Sequence, residues 1–182
     1  MIEFIEDSCS NYQHRTFINA DSADVTLAFA VDFTTAGEIC TEKYCKTCEK
    51  PIFQFKVNEN GRLNKEEEIK IDELYKCLKL NNYTKINIAG NGIYTFSKYG
   101  INQERINDLV TNIVEHLLER GCKIDELRSG GQSGADEAGI IAGIRLGINS
   151  ICLFPKGYRF RDINNKDIKD EKAFKLRFGW QV

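Results

Sequence analysis

A chain of 182 residues with 42% hydrophobic content has the size of one domain and enough apolar material for a sizeable core. Its 25 basic and 27 acidic residues nearly cancel, which argues against nucleic acid or an anionic membrane as a broad electrostatic partner. The start, Met1-Ile2-Glu3-Phe4-Ile5-Glu6-Asp7, lacks a basic segment followed by an apolar run, and no apolar stretch approaches the roughly 18 residues of a membrane span, so a cytoplasm, of bacterium, phage or host, is the expected compartment.

Residues 1–24 open with Ile2 and Phe4 in apolar alternation and continue polar, which predicts an edge strand followed by an irregular N-terminal arm. Val25 to Val31 (VTLAFAV) is a continuous apolar run, the mark of a strand buried on both faces. Thr35 and Glu38 stand at capping-box spacing, so a helix is expected immediately afterwards. Pro51 to Val57 (PIFQFKV) alternates and ends at the turn Asn58-Glu59-Asn60-Gly61. Asn64 can cap a helix whose first turn holds Glu66, Glu67 and Glu68 at the positive end of its dipole, with Ile71, Leu74, Tyr75 and Leu78 on one face.

Lys85 to Ala89 (KINIA) predicts a third strand, broken by Gly90-Asn91-Gly92. The next helix runs from about Asn102 to Arg120, with Ile106, Leu109, Val110, Ile113, Leu117 and Leu118 repeating near 3.6 and Gly121 as its stop. Strand, glycine turn and helix then recur as Asp125 to Arg128, Ser129 to Gly134, and a helix from about Ala135 to Leu146. Ser150 to Phe154 (SICLF) makes a last strand before Pro155, and the charged tail 162–182 carries Ile168, Phe174, Phe178 and Trp180, which predicts a short helix packed over the domain. Alternating strands and helices call for right-handed crossovers, hence an α/β, Rossmann-like three-layer domain over 1–182 with a mostly parallel sheet.

Ligands of such sheets bind beyond the carboxyl ends of the strands, in the loops Asp32 to Glu38, Gly90 to Thr95, Ser129 to Glu137, and Pro155 to Arg161. The third carries most weight. Ser129, Gly130, Gly131, Gln132, Ser133 and Gly134 combine close backbone approach and hydroxyl donors with the N-terminus of the following helix, a suitable seat for phosphate. Gly139 and Gly143 inside that helix cost roughly 1 kcal/mol each relative to alanine, and so imply a close approach to a neighbour. The loop TTAGE reads either as an ordinary helix cap or as a further wall contributed by Thr34, Thr35 and Glu38. In the last loop Lys156 and Arg159 can pair with phosphate and Tyr158 can stack on a base; an ordinary surface turn is the alternative.

From Ile86 to Arg161 the chain resembles the SLOG superfamily of Rossmann-like domains, through INIAGNGIYTF, a long helix, LRSGGQSGADEAGIIAGIRLGI and ICLFPKGYR. That superfamily includes the molybdenum-cofactor carriers, the "lonely guy" phosphoribohydrolases and the DNA-processing protein A family, and SGGQSGAD followed by PKG is most similar to the carriers. The resemblance implies one pocket faced by Gly90, Asn91, Gly92 and Tyr94 on one side and by the turn Ser129 to Gly134 with Asp136 on the other. Its ligand would be a nucleotide or a nucleotide-derived, phosphate-bearing small molecule, held by a carrier, sensor or sequestering protein. The hydrolase pattern, a shorter PGG-x-GT turn trailed by glutamate, is departed from: Ser129 replaces the proline and one more residue precedes Gly134. The alternative, cleavage of an N-glycosidic bond, would draw on Glu38, Asp136 or Glu137. A third, single-stranded DNA binding, meets the near-neutral charge.

Seven cysteines without a secretion signal predict reduced thiols. Cys40, Cys45 and Cys48 have the C-x4-C-x2-C spacing of plant-type ferredoxins, but their helical surroundings would spread the thiols over different faces, and Cys77 belongs to another helix. His14 and His116 offer no pair for acid–base or metal work. No metal and no cofactor are expected, and self-association is left open.

Overall fold

In the computed structural model, which describes residues 1–179, the elements run β1 (Ile2–Glu6), α1 (Tyr12–Ser22), β2 (Val25–Ala30), α2 (Ala36–Thr47), β3 (Ile52–Lys56), α3 (Lys65–Asn81), β4 (Lys85–Gly90), α4 (Ile93–Ser97), α5 (Gln103–Glu119), β5 (Glu126–Ser129), α6 (Ala135–Leu146), β6 (Asn149–Phe154), β7 (Arg159–Arg161), β8 (Asp167–Lys169) and α7 (Glu171–Leu176). Local chemistry sets many of the boundaries. Asn11, Thr35, Asn64, Asn102 and Asp170 each accept the backbone N–H three residues on, from His14, Glu38, Glu67, Arg105 and Ala173. Left-handed residues, Asn82 and Gly147, close α3 and α6.

Six strands form one sheet in the order β1-β6-β5-β4-β2-β3, every neighbouring pair parallel, and β7 pairs antiparallel with β8. The architecture is the expected three-layer, Rossmann-like α/β fold. Successive side chains of a strand point to opposite faces, and the two faces differ in chemistry. Val25, Leu27, Phe29, Ile86 and Ile88 build the main core with Leu74 and Leu78 of α3, Val110 and Val114 of α5, and Ala138 and Ala142 of α6. On the other face Asn87 donates to Thr26 Oγ1 at 3.1 Å, and Arg128 Nε donates to Asn19 of α1 at 3.2 Å. A second aromatic core joins Phe154, Phe160, Phe174 and Phe178 to Ile2 and Phe4, so α7 covers the β1–β6 end of the sheet. Trp180, expected in the same layer, lies outside the described residues.

From β2 onward the sheet is doubly wound: the chain goes outward to β3, returns past β2 to β4, and continues through β5 to β6. This places a topological switch point between β2 and β4, where the loops diverge and leave a crevice. The N-terminal β1 adds beside β6, the position that a strand following β6 would take.

Residues 12–22 depart from expectation, since they form the helix α1 where an irregular arm is predicted. Its buried residues are Arg15, Asn19 and Ala20, so no apolar period betrays it. The polar partners that justify burying Arg15 and Asn19 are on α6 and β5. Among the described residues no helix is long and apolar enough to cross a membrane.

Candidate functional site

A cleft of about 850 Å³ opens at the switch point. Its floor is the turn after β4, its sides are α1, the start of α2 and the turn after β5, and Arg159, Arg161 and Asn165 stand at its rim. The two glycine turns meet back to back: Gly92 and Gly134 form an isolated bridge, and Ile93 N–H donates to the Ser133 carbonyl. Gly134 has φ +100°, and a Cβ there would lie 2.4 Å from the Asn91 carbonyl oxygen, so only glycine permits this contact.

Asn91 is a staple. Its Oδ1 accepts from Val31 N–H and Asp32 N–H, each at 3.0 Å, and its Nδ2 donates to the Asp32 carbonyl at 2.9 Å and to Glu38 Oε1 at 3.3 Å. The loop after β2 is thereby tied to the turn after β4, and Glu38 is held in the cleft wall. Thr35 both caps α2 and lines the cleft, so the two readings of TTAGE are compatible; Thr34 bonds Asp32 and is not among the lining residues.

In the second turn, three amides at the head of α6 are engaged internally. Gly134 N–H donates to Gln103 Oε1, Ala135 N–H to the Asn91 carbonyl, and Glu137 N–H to the Gln132 carbonyl. The side chains of the turn grip β7: Gln132 Nε2 donates to the Arg159 carbonyl and its Oε1 accepts Arg161 N–H, while Ser133 Oγ donates to the Arg161 carbonyl. This grip carries Arg159 and Arg161 to the mouth of the cleft. Gly130 leaves room for Arg15, whose Nη1 lies where a Cβ would sit, at 1.1 Å from that position.

Positive charge therefore comes from arginines. Arg15, Arg159 and Arg161 surround the Tyr12 ring, at 5.6, 4.9 and 4.9 Å from its centroid. Asp167 accepts from Tyr12 and Arg159, and the Arg159 hydrogen bond is the main cause holding its carboxyl down to about 2. Arg15 Nη1 donates to Asp136 Oδ2 at 2.9 Å within the cleft wall. Burial raises the Asp136 carboxyl above its ordinary value, and Arg15 opposes that shift. Burial, reinforced by the negative charge of Asp136, pushes Glu38 up to about 8, against the hydrogen bond from Asn91. Burial thus shifts Glu38 toward its neutral, protonated form. Tyr94 lines the same cleft, with Lys98 Nζ 4.1 Å from its ring centroid.

Of the predicted contact residues, Gly90, Asn91, Gly92, Tyr94, Gly130, Gln132, Ser133, Asp136 and Arg159 line the cleft. Others stand elsewhere. Ser129 is fully buried and donates to the Ile88 carbonyl, and a Cβ on Gly131 would meet Cys152 and Phe174 in the aromatic core. Glu137 accepts from Arg177 at 2.7 Å, outside the cleft lining. Lys156 is exposed, and Tyr158 stacks on Phe154 at 4.7 Å. The sequence reading misses Tyr12, Arg15 and Arg161; the available signals were the capping spacing Asn11 to His14 and the i, i+4 pair Arg15 and Asn19. It also leaves His14 without a partner, whereas Nδ1 of its ring lies 2.7 Å from Asp7 Oδ1.

Residues 2–113 match the profile of the circularly permutated YpsA SLOG family. The matched span contains α1, the Glu38 loop and the first glycine turn; the second glycine turn follows it. No curated protein matches the chain.

Proposed function

Because the chain belongs to the circularly permutated YpsA SLOG family, we propose that the cleft binds a nucleotide or a nucleotide-derived, phosphate-bearing small molecule, as a carrier, sensor or sequestering protein. One observation carries the reading. Among the described residues four buried side-chain polar atoms have no hydrogen-bond partner, and three of them, Arg15 Nε, Arg159 Nε and Glu38 Oε2, belong to residues that line this cleft. These atoms are themselves shielded from solvent, but buried polar groups are nearly always satisfied, so their coincidence on residues of one cleft supports polar ligand contacts with these side chains. Two guanidinium donors suit a phosphate, and the Glu38 carboxyl suits a hydroxyl or a ring edge. The cleft volume is that of a small-molecule site. The likeness of SGGQSGAD to the molybdenum-cofactor carriers favours a carrier.

The test is to purify the protein without added ligand, denature it and identify released molecules by mass spectrometry, then titrate a nucleotide panel by calorimetry. A phosphate-bearing ligand is expected, and Arg159→Ala should weaken its binding about ten- to a hundredfold, the loss of a charged hydrogen bond. Binding by the variant as tight as by the wild type, or no nucleotide-type ligand in either experiment, counts against the proposal.

The placement of Glu38 in the cleft wall, with Oε2 unbonded and its carboxyl raised by burial, favours a second reading, hydrolysis of an N-glycosidic bond, whose departing base needs a proton. Release of free base by the wild type, together with a Glu38→Gln variant that binds but no longer turns over, would establish it.

A further inference from the structure

We propose that Asp7, Cys9 and His14 form a mononuclear site for a zinc-like divalent transition metal where β1 runs into α1. The inference rests on residues outside the cleft lining and is independent of the ligand proposed above. One ligand atom from each residue lies within 4.8 Å of the other two. His14 Nδ1 faces both Asp7 oxygens, at 2.7 and 2.9 Å. Zinc bonds of roughly 2.0 to 2.3 Å to oxygen, nitrogen and sulfur put tetrahedral ligands about 3.3 to 3.8 Å apart, so the three groups need to adjust by on the order of 1 Å.

The burial pattern suits a metal. The Asp7 side chain is only 1% exposed while that of His14 is 42% exposed, so the carboxylate is withdrawn from water but the site has an open side for entry and for a fourth ligand. Its neighbours are tied in place. Asp7 N–H donates to the Phe154 carbonyl at 2.8 Å, Lys156 N–H donates to the Cys9 carbonyl at 3.1 Å, and His14 N–H is capped by Asn11 at 3.1 Å. The donor set, one carboxylate, one imidazole and one thiolate, favours zinc or its neighbours over magnesium and calcium, which prefer all-oxygen sites. Arg159 Nη1 donates to the carbonyl of Ser10, in the same loop, and Asn11, Tyr12 and Arg15 follow into the cleft wall. A metal here fastens the base of that wall to the sheet.

Cobalt reports the site directly. The full-length protein, stripped with a chelator, is titrated with Co²⁺ alone and followed by absorption, then with Zn²⁺ in competition. We expect one Co²⁺ per chain, tetrahedral d–d bands, a thiolate-to-cobalt charge-transfer band, and displacement by zinc. Cys9→Ser should abolish the charge-transfer band, and His14→Ala should weaken Co²⁺ binding at least tenfold, with both variants keeping the wild-type far-ultraviolet circular dichroism. Zn²⁺ should raise the melting temperature of the wild type and leave that of Cys9→Ser unchanged. Failure of the wild type to bind Co²⁺ stoichiometrically overturns the proposal. So does a charge-transfer band that survives in Cys9→Ser, which would assign the thiolate to another cysteine.

Discussion

Glu38 occupies the third helical position after the Thr35 cap, from which a glutamate ordinarily reaches back to the cap amide. Its Oε1 accepts from Asn91 instead, and burial beside Asp136 raises its carboxyl from 4.5 to about 8. The folded protein therefore holds this proton more tightly than the unfolded chain does. The stabilisation this proton gives is fully present below about pH 4.5 and is lost progressively as pH rises through about 8. A glutamine cannot ionise, so Glu38→Gln should melt with the wild type at pH 4.5 and above it at pH 8.5, by roughly 2–4 °C for each kcal/mol recovered. Thermal unfolding across that range checks the sign. Parallel curves for the two proteins would mean that the Glu38 carboxyl is ionised in the folded state at neutral pH.

At the level of elements, the opposing effects at Gly139 of α6 decide whether a better helix former helps. Alanine would add about 1 kcal/mol of helix propensity. Its Cβ, however, would lie 2.5 Å from Ile88 Cβ, on the central strand β4. Overpacking of that kind costs about 1–3 kcal/mol, and a β-branched side chain fixed in a buried strand has little room to give. Gly139→Ala should therefore lower stability by up to about 2 kcal/mol in denaturant unfolding. A stabilised variant would show that α6 can move off the sheet. The same close approach positions α6, whose first turn brings Asp136 to the cleft and Glu137 to Arg177.

Across the whole molecule the seven cysteines are unpaired, and three of them, Cys45, Cys122 and Cys152, are buried. Thiolate is the reactive form, and burial pushes the Cys152 thiol up to about 12. In chelator-treated native protein a thiol reagent should titrate the four accessible cysteines quickly and the other three only on unfolding, reaching seven without reductant. Fewer than seven after unfolding would indicate a disulfide. Faster native labelling of the buried three would show that the sheet opens more readily than its packing implies.

The sequence by itself determined β1 to β6 and the helices α2, α3, α5 and α6 in their order, the caps at Thr35 and Asn64 and the two glycine turns, because these signals are local. Apolar runs, the 3.6 period of α5 and the cap at Asn64 each need only a few neighbouring residues. It also identified the side of the sheet on which a site lies, since the loops after parallel strands share one edge. Tertiary structure decided which residues meet there. Arg15 finds Asp136 at a separation of 121 residues, and Gln132 holds Arg159 at a separation of 27. Such pairs leave no periodic trace. A buried polar residue looks like a surface residue until its partner is known, which is why α1 reads as an irregular arm and Arg15 goes unnoticed. The turn Ser129 to Gly134 was legible as special, but its role differs from the one its composition suggests: Gly131 faces the aromatic core, and Gln132 and Ser133 hold β7. The physical reason is that glycine records only that something approaches closely, and the fold alone determines whether that neighbour is a ligand, another strand or an arginine.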